Sequence, residues 1–93
     1  MRSISLPLPM HSIEYTREAK QALKAMPRNI SRVLESKIEA LAADPAAAQN
    51  VKRLVGRPGY RLRVGDWRVI YTLDSGKLVV LVLQIGTRGG MYK

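Results

Sequence analysis

The spacing of apolar residues changes halfway along the chain. Ala19, Ala22, Leu23 and Met26 recur at i, i+3, i+4 and i+7, the interval of a helix with one buried face. Thr16 supplies an N-cap hydroxyl at one end and Pro27 a stop at the other. A second helix can begin at Pro27, whose fixed φ suits a first turn; it runs on Ile30, Val33, Leu34, Ile38 and Leu41 until Asp44-Pro45 ends it. The two form an α-hairpin with a common apolar face. Ahead of them, His11 to Tyr15 reads as a short strand with Ile13 facing inward.

Beyond residue 46 the helical period is gone. Residues 46–59 read as a connector in which Leu54 and Val55 tuck under the fold and Gly56, Pro58 and Gly59 mark turns. Three strands follow, near 60–64, 67–73 and 77–85. Gly65-Asp66 is the two-residue link of a tight hairpin, and Asp74-Ser75-Gly76 turns the second pair. Leu78 to Leu83 is apolar at every position, so the last strand needs cover on both faces and belongs inside the sheet. The expected fold is α+β: an antiparallel β-meander plus an N-terminal strand, with the α-helical hairpin packed on one face. The helices supply one cover and leave the other face open.

Ninety-three residues suffice for one such domain, expected over residues 10–93. Residues 1–9, with Pro7 and Pro9, are expected to be an extended, poorly ordered leader. Without cysteine there are no disulfides or thiolate metal sites, and the single His11 cannot hold a metal, so no cofactor is expected. No apolar run is long enough for a membrane span, which points to a cytoplasmic protein with no membrane partner.

Charge changes the picture. The chain carries 16 Lys and Arg against 7 Asp and Glu, a formal +9. Residues 51–93 hold nine of those cations and only Asp66 and Asp74, a local +7. Such a field attracts polyanions, although a basic surface can also serve only solubility.

The hairpin GYRLRVGDWRVIY locates the excess. If Gly65 and Asp66 are the whole loop, Val64 pairs with Trp67, Arg63 with Arg68 and Arg61 with Ile70. Tyr60, Leu62, Val64, Trp67, Val69 and Tyr71 then face the helices, while Arg61, Arg63 and Arg68 share the other side. Like charges directly opposite each other destabilise a sheet, a cost that an anion would remove. Carrying the register through the next turn puts Leu83 near Arg68, with Arg88 and Tyr92 just beyond. Converging guanidinium groups offer paired donors to a phosphodiester and to its transition state. The sequence has no obvious acid cluster of the kind that Mg²⁺-dependent nucleases use. The competing reading is a row of solvated arginines on an exposed strand.

Across residues 10–93, the order strand, helix hairpin, YRLRVGDWRVIY and then LVVLVLQIGTRGGMY resembles the RelE/ParE superfamily of toxins from bacterial type II toxin–antitoxin pairs, closer to the RelE branch. That resemblance implies a ribosome-dependent mRNA endonuclease in which a ribose 2′-hydroxyl attacks the adjacent phosphate without metal. It puts the family's basic pair on Arg61 and Arg63, its transition-state arginine on Arg68, and its terminal pair on Arg88 and Tyr92. Lys52, Arg53 and Arg57 extend the candidate RNA-binding surface. Arginines stand where the family's best-known form has lysines, and Thr87 stands where many relatives have histidine. Since guanidinium groups are poor proton carriers at neutral pH, Arg61 and Arg63 become electrostatic clamps and Tyr92 the sole proton-transfer candidate. For Tyr92 the alternative is a ring capping the sheet edge.

The resemblance also implies an antitoxin that wraps the toxin with an acidic amphipathic segment. Ile70, Leu81, Leu83 and Ile85, next to Arg61, Arg63 and Arg68, are the expected contact surface. Trp67 reads as core, with base stacking as the minor alternative. A ParE-like toxin that inhibits DNA gyrase without catalysis is the second functional reading.

Overall fold

The computed structural model describes residues 11–74 and 76–87. Expectations for the leader, Arg88 and Tyr92 lie outside the described residues. The elements are β1 (Ser12–Tyr15), α1 (Arg17–Ala25), α2 (Arg28–Ala43), a 3₁₀ turn (Pro45–Ala47), β2 (Val51–Arg53), β3 (Tyr60–Val64), β4 (Trp67–Asp74) and β5 (Val79–Thr87).

Both helices begin and end for local reasons. Thr16 caps α1, its hydroxyl accepting from the Ala19 N–H at 3.1 Å. Pro27 precedes α2, and the Asp44 N–H returns to the Ala40 carbonyl at 3.3 Å before Pro45 prevents continuation. Leu34, Ile38, Leu41 and Ala42 form the buried stripe of α2. Val33, expected in that stripe, is 50% exposed because it lies on the flank of the helix, one step off the Leu34–Ile38–Leu41 line.

The sheet order is β1-β5-β4-β3-β2, antiparallel except for the parallel pairing of β1 with β5. The helices cover one face, where Leu62, Val69, Tyr71, Val80 and Val82 join Leu34 and Ile38 in the core. No described helix is long and apolar enough to cross a membrane.

The β3–β4 register is the expected one: Arg61 faces Ile70, Arg63 faces Arg68 and Val64 faces Trp67. Gly65, at φ 60°, meets the left-handed requirement of the first turn position. The connector contains a strand that the apolar pattern does not reveal, β2, pairing Lys52 with Arg61 and Arg53 with Tyr60. Leu54 is half-buried, but Val55 is 98% exposed at the hairpin tip rather than tucked beneath it. Closing the loop through the Leu54 N–H and Gly59 carbonyl, 3.0 Å apart, leaves the intervening side chains outside.

Strand β5 starts later than the sequence suggested. Leu78 still belongs to the turn, at φ 56°, and its carbonyl accepts from the Ser12 N–H at 2.7 Å. A bulge then shifts the β4–β5 register: Ile70 faces Gln84 but Tyr71 faces Val82, leaving Leu83 as the extra residue. Thr16 anchors that irregularity, its N–H donating to Val82 O at 3.0 Å and its hydroxyl to Leu83 O at 2.7 Å. Arg68 therefore faces Gly86 instead of lying near Leu83.

Candidate nucleic-acid interface

On the face away from the helices, side chains fall into rows fixed by the strand pairing. One row holds Arg63, Arg68 and Gly86; the next holds Lys52, Arg61, Ile70 and Gln84. Adjacent rows on one face lie about 7 Å apart and neighbouring strands about 4.8 Å apart. Four cations thus share one small area of sheet.

Arg68 is held in place. Its Nη1 donates to the Trp67 carbonyl at 3.1 Å and to the Gly65 carbonyl at 3.3 Å. Both bonds use one nitrogen, whereas a guanidinium carries five N–H donors. The opposing Arg63 is exposed, and Arg61 and Arg68 are partly so. A phosphate over these rows would meet an anchored guanidinium flanked by adaptable ones.

The remaining RNA-binding candidates separate. Lys52 joins the rows. Arg57 stands on the β2–β3 loop, toward the far end of the same face, where it lines a recess with Pro58, Thr72 and Gln84. Arg53 pairs with Tyr60, whose ring stacks on Tyr71 at 5.5 Å in the helix-side layer; strand alternation therefore puts Arg53 on the opposite face from Lys52.

The expected apolar contact surface is corrected in two places. Ile85 lies in the helix-side core, 7% exposed, because the bulge reverses its face relative to a regular ladder. Ile70 does lie on the arginine side but is only 1% exposed and offers almost no contact area. Leu81 and Leu83 remain half-exposed there. Trp67 packs partly buried against the core.

Tyr71 is the strongest ionisation shift among the described groups. Burial pushes its phenol up to about 12, with the neighbouring Tyr60 adding to the rise. Its 1% exposure makes it a structural residue of the sheet rather than a proton carrier at the cationic rows.

Sequence reading did not single out Gln84. Its position opposite Ile70 depends on the bulge, and its Nε2 donates to Glu18 Oε2 at 3.3 Å, a contact between residues far apart in the chain.

Comparison with known proteins gives concordant results. The family described as the ParE toxin of the type II toxin–antitoxin system, parDE, matches residues 13–92. A Methanocaldococcus jannaschii protein inferred to be toxin RelE1 is 28% identical over 85 residues, covering 88% of this chain and 94% of the relative. The archaeal RelE–RelB complex from Pyrococcus horikoshii OT3 contains a chain with TM-score 0.74 and 25% identity, covering 88% of this chain and 99% of that one. The RelBE2 toxin–antitoxin complex from Mycobacterium tuberculosis contains another, with TM-score 0.75 and 21% identity over 85% and 92% of the two chains. The family match takes in both helices and every strand except the first residue of β1, and this chain belongs to the RelE/ParE family of toxins of type II toxin–antitoxin systems.

Proposed function

We propose that the chain is a ribosome-dependent mRNA endonuclease of the cytoplasm, held inactive by a cognate antitoxin. The alignment of Lys52, Arg61, Arg63 and Arg68 on one sheet face is the observation that carries this reading. In the reaction, a ribose 2′-oxygen gives up its proton and bonds to the adjacent phosphorus. The 5′-oxygen departs with a proton, leaving a 2′,3′-cyclic phosphate and a 5′-hydroxyl. Arg68 stabilises the extra negative charge of the pentavalent phosphorus, while Arg61 and Arg63 hold the backbone on either side. Arg88 and Tyr92 complete the proposed site, with Tyr92 as the proton carrier. Neither step draws on a metal or other cofactor.

The proposed antitoxin contact is an acidic amphipathic segment laid over Arg61, Arg63 and Arg68, with apolar residues against Leu81 and Leu83. Complexes with RelB antitoxins among the similar structures support a partner of that kind. Primer extension on translated mRNA tests the nuclease directly: new 3′ ends should accumulate with the wild-type chain and vanish with Arg68→Ala. Intact transcripts during growth arrest would overturn it.

The family description itself favours a second reading, a ParE-like toxin that inhibits DNA gyrase without catalysis. That activity would block supercoiling in a purified gyrase assay and spare mRNA. The nuclease would do the reverse.

A further inference from the structure

An open recess of about 560 Å³ on the cationic face is bounded by Glu18, Arg57, Pro58, Thr72, Leu83 and Gln84. Three unrelated elements meet there. The β2–β3 loop contributes Arg57 and Pro58, the start of α1 contributes Glu18, and the irregular stretch of β4–β5 contributes the rest. It continues the cationic rows, because Gln84 shares its row with Arg61, two strands away, and Thr72 lies one row farther from Arg68. Those separations come to roughly 10 Å across the strands and 7 Å along them, comparable to the reach from one phosphate of an extended single strand to a neighbouring base.

The chemistry of the lining is directional. Pro58 and Leu83 offer apolar surface to the faces of a planar ring. Gln84 donates through Nε2 to Glu18 Oε2 at 3.3 Å, and only the amide nitrogen can donate to a carboxylate, so the Gln84 Oε1 is left as an acceptor. Arg57 and the Thr72 hydroxyl provide donors nearby. An acceptor beside donors complements an exocyclic amino group beside a ring nitrogen, the edge shown by adenine and cytosine. Uracil's one edge donor is its ring N3–H, flanked by two exocyclic acceptors, so with the ring seated at the same depth it sets a carbonyl oxygen rather than an amino group against Gln84 Oε1.

We propose that this recess reads a base of single-stranded RNA near the phosphates held by Arg61 and Arg63, with Gln84 as its specificity residue and Glu18 as the group that orients Gln84. The inference rests on the RNA-directed reading of the cationic face and adds a base preference to it. The bulge at Leu83 is integral, because it sets Gln84 opposite Ile70 and beside the loop.

The test is fluorescence anisotropy of the purified full chain with short 5′-labelled oligomers of adenine, cytosine or uracil nucleotides at fixed salt. Adenine and cytosine oligomers should bind roughly 3- to 10-fold more tightly than uracil, the range of one or two well-placed hydrogen bonds. Gln84→Leu should bring the three affinities together, and Glu18→Ala should do so in part by freeing the amide to turn over. Arg63→Ala should weaken all three alike and reduce the salt dependence. Melting curves of each variant establish that it is folded.

Equal affinities in the wild type, no binding to any oligomer, or a preference that survives folded Gln84→Leu would overturn the assignment. Binding of an acidic peptide in place of RNA would do the same and make the recess a protein-docking site. Failure of the nuclease reading is separately visible: base preference with uncut transcripts would leave the recess standing and remove the cleavage.

Discussion

Arg63 on β3 stands directly opposite Arg68 on β4, while Arg68 donates from Nη1 to the carbonyls of Gly65 and Trp67 in the hairpin that joins the two strands. Two cations facing each other across a ladder oppose the folding of that hairpin, and the carbonyl contacts offset part of the cost for only one of them. Arg63→Thr should therefore stabilise the free protein by about 0.2–1 kcal/mol in urea unfolding while weakening its binding to RNA. Loss of both stability and affinity would show that Arg63 has a structural role.

Arg68 is predicted to separate toxicity from folding. Arg68→Ala removes the anchored guanidinium and its two carbonyl contacts, a stability change of about 1 kcal/mol or less, set against release of the like-charge pair. Growth inhibition should disappear while the unfolding midpoint remains close to wild type, and antitoxin capture should weaken without being lost, because Arg61 and Arg63 still face the acidic segment. A variant that fails to fold would place Arg68 in the framework rather than the site.

Gly65 and Gly59 should behave differently. Gly65 has φ 60°, and a Cβ placed on it would meet nothing within 4 Å, so Gly65→Ala bears mainly the left-handed backbone cost of about 1–2 kcal/mol. At Gly59, φ is 120° and a Cβ would come within 2.9 Å of the Tyr71 carbonyl oxygen. Gly59→Ala should cost about 2–5 kcal/mol, combining backbone strain with overpacking, and denaturant melts of the pair should keep this order.

Alkaline stability should follow Tyr71. Its folded-state pKa is raised from 10.0 to about 12, first by burial and then by Tyr60. Between those values the unfolded chain releases the phenolic proton and the folded chain retains it, so the stabilisation present below pH 10 is lost as pH rises through about 12. Two pKa units correspond to roughly 2–3 kcal/mol. Tyr15 acts in the same direction, raised by burial and then by Glu35 and Glu39. Tyr71→Phe should flatten this alkaline loss when unfolding is followed by circular dichroism.

Thr16 joins α1 to the bulge, capping the helix through Ala19 and bonding to Leu83 O at 2.7 Å. Thr16→Ala should cost about 1–2 kcal/mol. It should also loosen the recess around Gln84 and diminish base preference, whereas Leu34→Ala, at about 2–5 kcal/mol from a core cavity, should lower the melting point and leave that preference intact.

Local patterns in the chain were enough to give both helices, their caps, the tight hairpin and the pairing of Arg61, Arg63 and Arg68 with their partners. Each follows from a short-range rule: helical spacing, proline's missing N–H, or the fixed register across a two-residue turn. The face of Ile85, the exposure of Val55 and the opposition of Gln84 to Ile70 were decided only when distant segments met. One extra residue at Leu83 reverses side-chain direction along the rest of β5, and what holds that residue is Thr16, on the far side of the chain from it in sequence. Periodicity assigns faces only while a strand stays regular; the bulge is stabilised by a tertiary hydrogen bond, so the sequence determined the cationic row and the assembled sheet determined what lies beside it.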